Sequence, residues 1–188
     1  IKDFEDCTKP EPYKRLLFGF CFFHAIVQDR RKFGPIGWNK AYDFTKEDLD
    51  CCRRQLKYFV EQYEHIPYKV LNILGASINY GGRVTDSIDV RLINSILQTY
   101  ICPEIMNDGY KFSESGLYYS LPAGEIEDYM DYIKSLPLSP DPEAFGLHSN
   151  AEITTSQNAT VEILGNVLAM QPRASTGKGQ TREEVIGQ

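Results

Sequence analysis

The chain has 188 residues, 42% of them hydrophobic and 12% aromatic, and its 20 Lys and Arg against 26 Asp and Glu give a formal charge of −6. That is one domain of ordinary size, or one domain with an appendage, and it carries enough apolar material for a core. The acidic balance, with cations interspersed among anions, argues against a nucleic-acid partner, which needs a clustered basic surface.

Residues 1–12 are charged, contain Pro10 and Pro12, and read as an incoming linker. A helix is expected over residues 13–32. Its apolar positions Leu16, Phe20, Phe23 and Val27 form one stripe and Phe18, Phe22 and Ile26 a second, so it has to lie between other elements. Arg30, Arg31 and Lys32 suit the negative end of that helix. Gly34, Pro35 and Gly37 stop it and fix a turn carrying Trp38, the only tryptophan, which is expected to be buried against the helix.

Thr45 with Asp48 predicts a capping box, followed by an amphipathic helix over residues 46–64 with Leu49, Cys52, Leu56, Phe59, Val60 and Tyr63 inward. Asp50 and Arg54 are spaced as an i,i+4 pair. Pro67 opens a helix that runs to residue 78 and breaks at Asn79-Tyr80-Gly81-Gly82, where the two glycines predict positive φ. Asp86 can cap the next helix with Asp89 at its third position; Ile88, Leu92, Ile93, Ile96, Leu97 and Tyr100 form its expected buried face, and Pro103 ends it.

Tyr110-Lys111-Phe112 and Leu117-Tyr118-Tyr119 flank Ser113-Glu114-Ser115-Gly116 as a small β-hairpin. A helix over residues 125–136 is expected to bury Ile126, Tyr129, Met130, Ile133 and Leu136. Pro137, Pro140 and Pro142 mark a boundary before a last helix, residues 154–170, whose narrow stripe Val161, Leu164 and Leu168 suits a helix that leaves the bundle. The expected fold class is mostly α: a helical bundle over residues 13–140 with a short hairpin, a connector and extending helix over 141–171, and a flexible tail over 172–188.

Chemistry is sparse. A phosphate loop needs a glycine-rich turn ending in Gly-Lys-[Ser/Thr] between a strand and a helix. The nearest approach, Pro172-Arg173-Ala174-Ser175-Thr176-Gly177-Lys178-Gly179, has Pro172 for the first glycine, Gly179 for the hydroxyl, and a helix before it. His24, His65 and His148 share no metal-ligand spacing with the cysteines, and adjacent Cys51 and Cys52 diverge on a helix. Five cysteines without a framework fit a reducing compartment, and Cys21 and Cys102 read as small buried hydrophobes. No apolar run reaches the roughly 20 residues of a membrane span. No catalytic, cofactor or metal residue is expected in this segment.

Several strings resemble one family in order along residues 7–171. They are Phe22-Phe23-His24-Ala25, Lys32-Phe33-Gly34-Pro35-Ile36-Gly37-Trp38-Asn39, Ile66-Pro67-Tyr68, Ile78-Asn79-Tyr80-Gly81-Gly82-Arg83-Val84-Thr85-Asp86, Pro103-Glu104-Ile105, Phe145-Gly146-Leu147-His148 and Asn150-Ala151-Glu152-Ile153-Thr154. The chain resembles the motor region of dynein heavy chains of axonemal type, at the helical lid of the sixth AAA+ module running into the C-terminal domain. It departs from the family at Ser77, usually acidic, and at Ile88.

The resemblance implies a non-catalytic structural module of a microtubule minus-end motor of cilia and flagella. That module packs beside the first AAA+ module and couples ring motion to the C-terminal domain. It further implies ATP and Mg sites elsewhere in the parent chain, partners among the neighbouring modules, microtubules and dynein intermediate and light chains, and a cytoplasmic, axonemal setting. Many AAA+ lids turn an arginine towards the nucleotide; for Arg83 a structural role, bonding carboxylates or carbonyls, is expected instead. Structural or interface candidates are Trp38, His24, Gly81, Gly82, Arg83 and Asp86. The alternative is a freestanding helical adaptor.

Overall fold

The computed structural model describes residues 7–170. The expected tail, with its Gly177-Lys178 segment, and the first six residues of the expected linker lie outside them. Contacts divide the chain after Thr155. The first unit is a bundle around helix α1, Pro10–Asp29. It begins three residues before the expected Tyr13, because proline fits a first helical turn whose N–H groups have no partner anyway.

Both stripes of α1 are used. Tyr13, Leu16, Phe20, Phe23 and Val27 are 0–1% exposed, and Phe18 and Ile26 are 6% exposed. Helix α2, Lys46–Gln62, buries Cys52, Leu56 and Val60 on α1. Its start is the expected capping box, with the Thr45 N–H donating to Asp48 Oδ2 at 2.8 Å. Asp50 pairs with Arg53, three residues on, while Arg54 donates to the Asp50 carbonyl, so the expected i,i+4 pair does not form. Helix α3, Tyr68–Asn72, continues as a π-helix over Ile73–Tyr80 and a 3-10 turn over Gly81–Arg83.

Helix α4, Ser87–Tyr100, crosses α1 at Gly19, where a Cβ would stand 2.6 Å from the Tyr100 carbonyl oxygen. Ile93, Leu97 and Tyr100 face inward, but Ile88 is 55% exposed, because the first turn points Asp89, 1% exposed, inward in its place. After a 3-10 turn over Pro103–Met106, the expected hairpin is reduced to one antiparallel bridge, Lys111 with Tyr119, plus amide bonds from Phe112 to Tyr118 and from Ser120 to Tyr110. Phe112 and Tyr118 fold onto Phe22, so these aromatics are core.

Helix α5, Ile126–Ser135, buries Tyr129 and Tyr132. Met130 and Ile133 are about half exposed, contrary to expectation, because the tyrosines at Phe18 take the inward face. The turn Pro142–Phe145 ends at left-handed Gly146 and packs Phe145 against Phe33, centroids 5.0 Å apart and rings tilted by 60°. Cys21 is exposed and Cys102 half-buried, correcting their reading as buried hydrophobes; all five cysteines are free thiols.

Helix α6, Asn150–Met170, spans the division. Ala151 is its buried residue, and Val161, Ile163, Leu164, Val167, Leu168 and Met170 are exposed. The apolar band of its last turns is therefore wider than the Val161, Leu164 and Leu168 stripe. No described helix is long and apolar enough to cross a membrane.

Candidate functional site

The candidate residues Trp38, Gly81, Arg83 and Asp86 come together where the 37–45 connection meets the turn between the π-helix and α4. The connection starts at a sharp reversal. Gly34 has φ 55, and a Cβ on Gly37 would fall 1.9 Å from the Arg30 carbonyl oxygen, so neither position accepts a side chain. The reversal drops the Trp38 indole into the bundle, 3% exposed, with Nε1 donating to the Val27 carbonyl at 3.0 Å. Tyr42 meets the ring edge-on at 5.9 Å and Phe44 packs at 5.6 Å.

Arg30 closes this loop. It was expected to be a cation at a helix end, and Arg31 and Lys32 do lie exposed there, paired with Asp43 and Asp29. Arg30 instead is 3% exposed. Its Nε donates to the Gly37 carbonyl at 3.1 Å, its Nη1 donates to the Phe145 carbonyl, and its guanidinium lies 5.5 Å from the Trp38 centroid, within cation–π range. Burial lowers its pKa to about 10, still charged at neutral pH. One cation thus binds the first helix, the Trp38 loop and the Phe145 turn.

Asp89 holds the other side. It is 1% exposed and accepts the Asn39 N–H at 3.1 Å, the Lys40 N–H at 3.3 Å and the Tyr42 hydroxyl at 2.9 Å. Sequence reasoning assigned it to a capping box with Asp86. Asp86 does cap α4, accepting the Ile88 and Asp89 N–H groups at 2.9 and 3.2 Å and the Asn39 amide at 3.1 Å, and these bonds hold its carboxyl below the usual range. Its own N–H donates to the Tyr42 hydroxyl rather than to Asp89, which frees Asp89 to hold the loop.

Arg83 reaches across to α2. Nη2 donates to Asp48 Oδ1 at 3.2 Å and Thr45 Oγ1 at 3.4 Å, and Nη1 to the Asp43 carbonyl at 3.4 Å. The guanidinium is half exposed while Asp48 is 8% exposed, so the pair seals the start of α2. Gly81 has φ −66, and neither it nor Gly82 is among the described positive-φ glycines, which corrects the expectation. Gly81 is needed for a different reason: a Cβ there would stand 2.4 Å from the Ala76 carbonyl oxygen, while Gly82 has open space around it.

His24 lies beneath this region, on α1, and shares a 2.8 Å hydrogen bond between Nδ1 and the Tyr80 hydroxyl. Burial lowers its pKa below the ordinary 6.5, against a smaller opposing pull from Asp48. A base with a depressed folded pKa adds stability above its unfolded pKa and loses it as pH falls through the folded value. The urea midpoint is therefore expected to drop between about pH 7.5 and pH 5.5. The drop should be visibly shallower in His24→Gln. Equal slopes for the two proteins would show that His24 does not carry it.

Among the described residues, no three His, Cys, Asp or Glu groups lie together as metal ligands. The arrangement ties two loops to three helices through groups bonded to one another.

A family model described as dynein heavy chain AAA lid domain matches residues 13–151. The chain belongs to that family. The chain is 46% identical over 181 residues, 96% of its length, to dynein axonemal heavy chain 1 of Rattus norvegicus. It is 44% identical over 183 residues to dynein axonemal heavy chain 3 of Mus musculus and 41% over 184 residues to dynein axonemal heavy chain 6 of Homo sapiens, each covering 97% of the chain. It spans 4% of the length of each of these relatives. The matched residues 13–151 contain the whole Trp38, Arg30, Arg83 and Asp89 network.

Proposed function

We propose that this lid is a non-catalytic structural module of an axonemal dynein heavy chain, the lid of its sixth AAA+ module. In this reading it packs in the ring beside the first module and passes ring motion to the C-terminal domain. The parent chain is then the microtubule minus-end motor ATPase of cilia and flagella, with ATP and Mg bound outside this segment. Its partners are the neighbouring modules, microtubules and dynein intermediate and light chains.

The observation that carries the non-catalytic part is the engagement of Arg83. Its fork is committed to Asp48, Thr45 and the Asp43 carbonyl within the lid, so turning to a phosphate would break the seal on α2. Electron microscopy of the intact heavy chain tests the placement. Density for the bundle between the sixth large domain and the first module is expected; density for it at another ring position would refute the assignment.

A further inference from the structure

Asp108-Gly109 is the only step in the chain where an aspartate or asparagine precedes a glycine. Such a step can close on itself. The glycine nitrogen and the aspartate side-chain carbon complete a five-membered ring, and glycine puts no side chain in the way. Regular secondary structure normally prevents closure by tying up the amide and fixing the backbone. Neither restraint holds here. The two residues are the exposed centre of a turn that the Tyr110 N–H closes on the Asn107 carbonyl at 3.2 Å. Gly109 has φ 71 and open space around it, and its N–H donates to none of the described acceptors. The Asp108 side chain is 77% exposed; Oδ1 meets Arg15 Nη2 at 2.5 Å, and Oδ2 accepts no described bond.

We propose that Asp108-Gly109 is a self-modification site, where Asp108 turns into isoaspartate through a succinimide. The Gly109 nitrogen bonds to Asp108 Cγ and gives up its proton, and the protonated carboxyl loses Oδ2 with both protons as water. Water then adds to the ring carbonyl that was the Asp108 main-chain carbonyl and breaks its bond to the Gly109 nitrogen. The chain now runs through Cγ, one methylene longer, and the freed carboxylate sits directly on Cα. No cofactor or redox partner enters. Arg15 gives the step its consequence. It is 3% exposed on α1, its Nε and Nη1 have no described partner, and its remaining contact is Glu11 at 3.4 Å. Moving the Asp108 carboxylate strips a buried cation of its closest partner, which destabilises the fold.

Ageing the 188-residue chain at physiological temperature and pH tests this, with the free peptide Leu92–Lys111 as the unfolded reference. Isoaspartate is read by peptide mass spectrometry and by methyl transfer from S-adenosylmethionine with an isoaspartyl carboxyl methyltransferase. The folded chain is expected to react within about ten-fold of the peptide rate, because the turn itself is competent. The rate should be unchanged in Ile93→Val, a mild core truncation that raises the unfolded fraction about two- to ten-fold. A folded chain slower than that limit, or a rate that rises with the unfolded fraction in Ile93→Val, places the reaction in unfolded molecules and overturns the proposal. Chain carrying isoaspartate is expected to melt at least about 2 °C below unaged chain. Asp108→Glu keeps a carboxylate for Arg15 but would need a six-membered ring, so its melting point should not fall on ageing. An equal fall in Asp108→Glu, or no fall in the isoaspartyl chain, overturns the link to Arg15.

Discussion

Replacing Trp38 by alanine is expected to destabilise the bundle by about 3–5 kcal/mol, as for other large core aromatics. The indole is 3% exposed, and its removal leaves a cavity bounded by Tyr42, Phe44 and α1. The Val27 carbonyl loses its donor, and buried Arg30 loses the ring face beneath its guanidinium. Both losses fall on a reversal that Gly34 and Gly37 fix in one path, so the loop has little freedom to collapse into the space. Trp38→Phe is expected to lose less, because it keeps a ring while giving up the indole N–H. Thermal melting of the two variants checks this, and an unchanged midpoint for Trp38→Ala would mean that the ring does not anchor the loop.

The second large effect is expected at Asp89. Truncation to alanine strands the Asn39 and Lys40 amides and the Tyr42 hydroxyl at a site that is 1% exposed. An unpaired buried donor costs about 1–3 kcal/mol; the Tyr42 bond is buried and the two amide bonds are partly so, and a total of about 3–5 kcal/mol is expected. Asp89→Asn retains an acceptor oxygen but turns an NH2 towards donors, and should fall between wild type and alanine. The same loop carries the only tryptophan, so its release has an optical signature. Asp89→Ala should shift Trp38 emission to the red as water reaches the ring. A destabilised variant with unshifted emission in its folded baseline would place the damage in α4 rather than in the loop.

Local rules predicted much of this architecture. The apolar stripes of α1, the Thr45 box, the Asp86 cap and the buried Trp38 each depend on residues close in sequence, and each is found where its pattern puts it. The failures share a cause of the opposite kind. Asp89 satisfies the spacing of a capping box, but the ligands that claim it lie 47–50 residues away. Arg30 suits a helix terminus, and only the arrival of Phe145, 115 residues on, makes it a buried tie. Gly81 looked like a positive-φ glycine because no periodicity announces a π-helix; the carbonyl it must clear exists only in that register. Met130 and Ile133 fit an amphipathic pattern, yet the tyrosines beside them fill the space at Phe18 first. The single hint for Arg30 was its place in a run of three cations, which carried no sign of which one turns inward.

The claim that the lid acts through internal ties and not through a nucleotide is tested most directly by calorimetry of the folded chain with Mg·ATP, run on wild type and Arg83→Ala. The account predicts no heat of binding for either protein and a lower melting temperature for Arg83→Ala, since the Asp48 and Thr45 bonds are lost. Micromolar binding by the wild type that disappears in Arg83→Ala would contradict it.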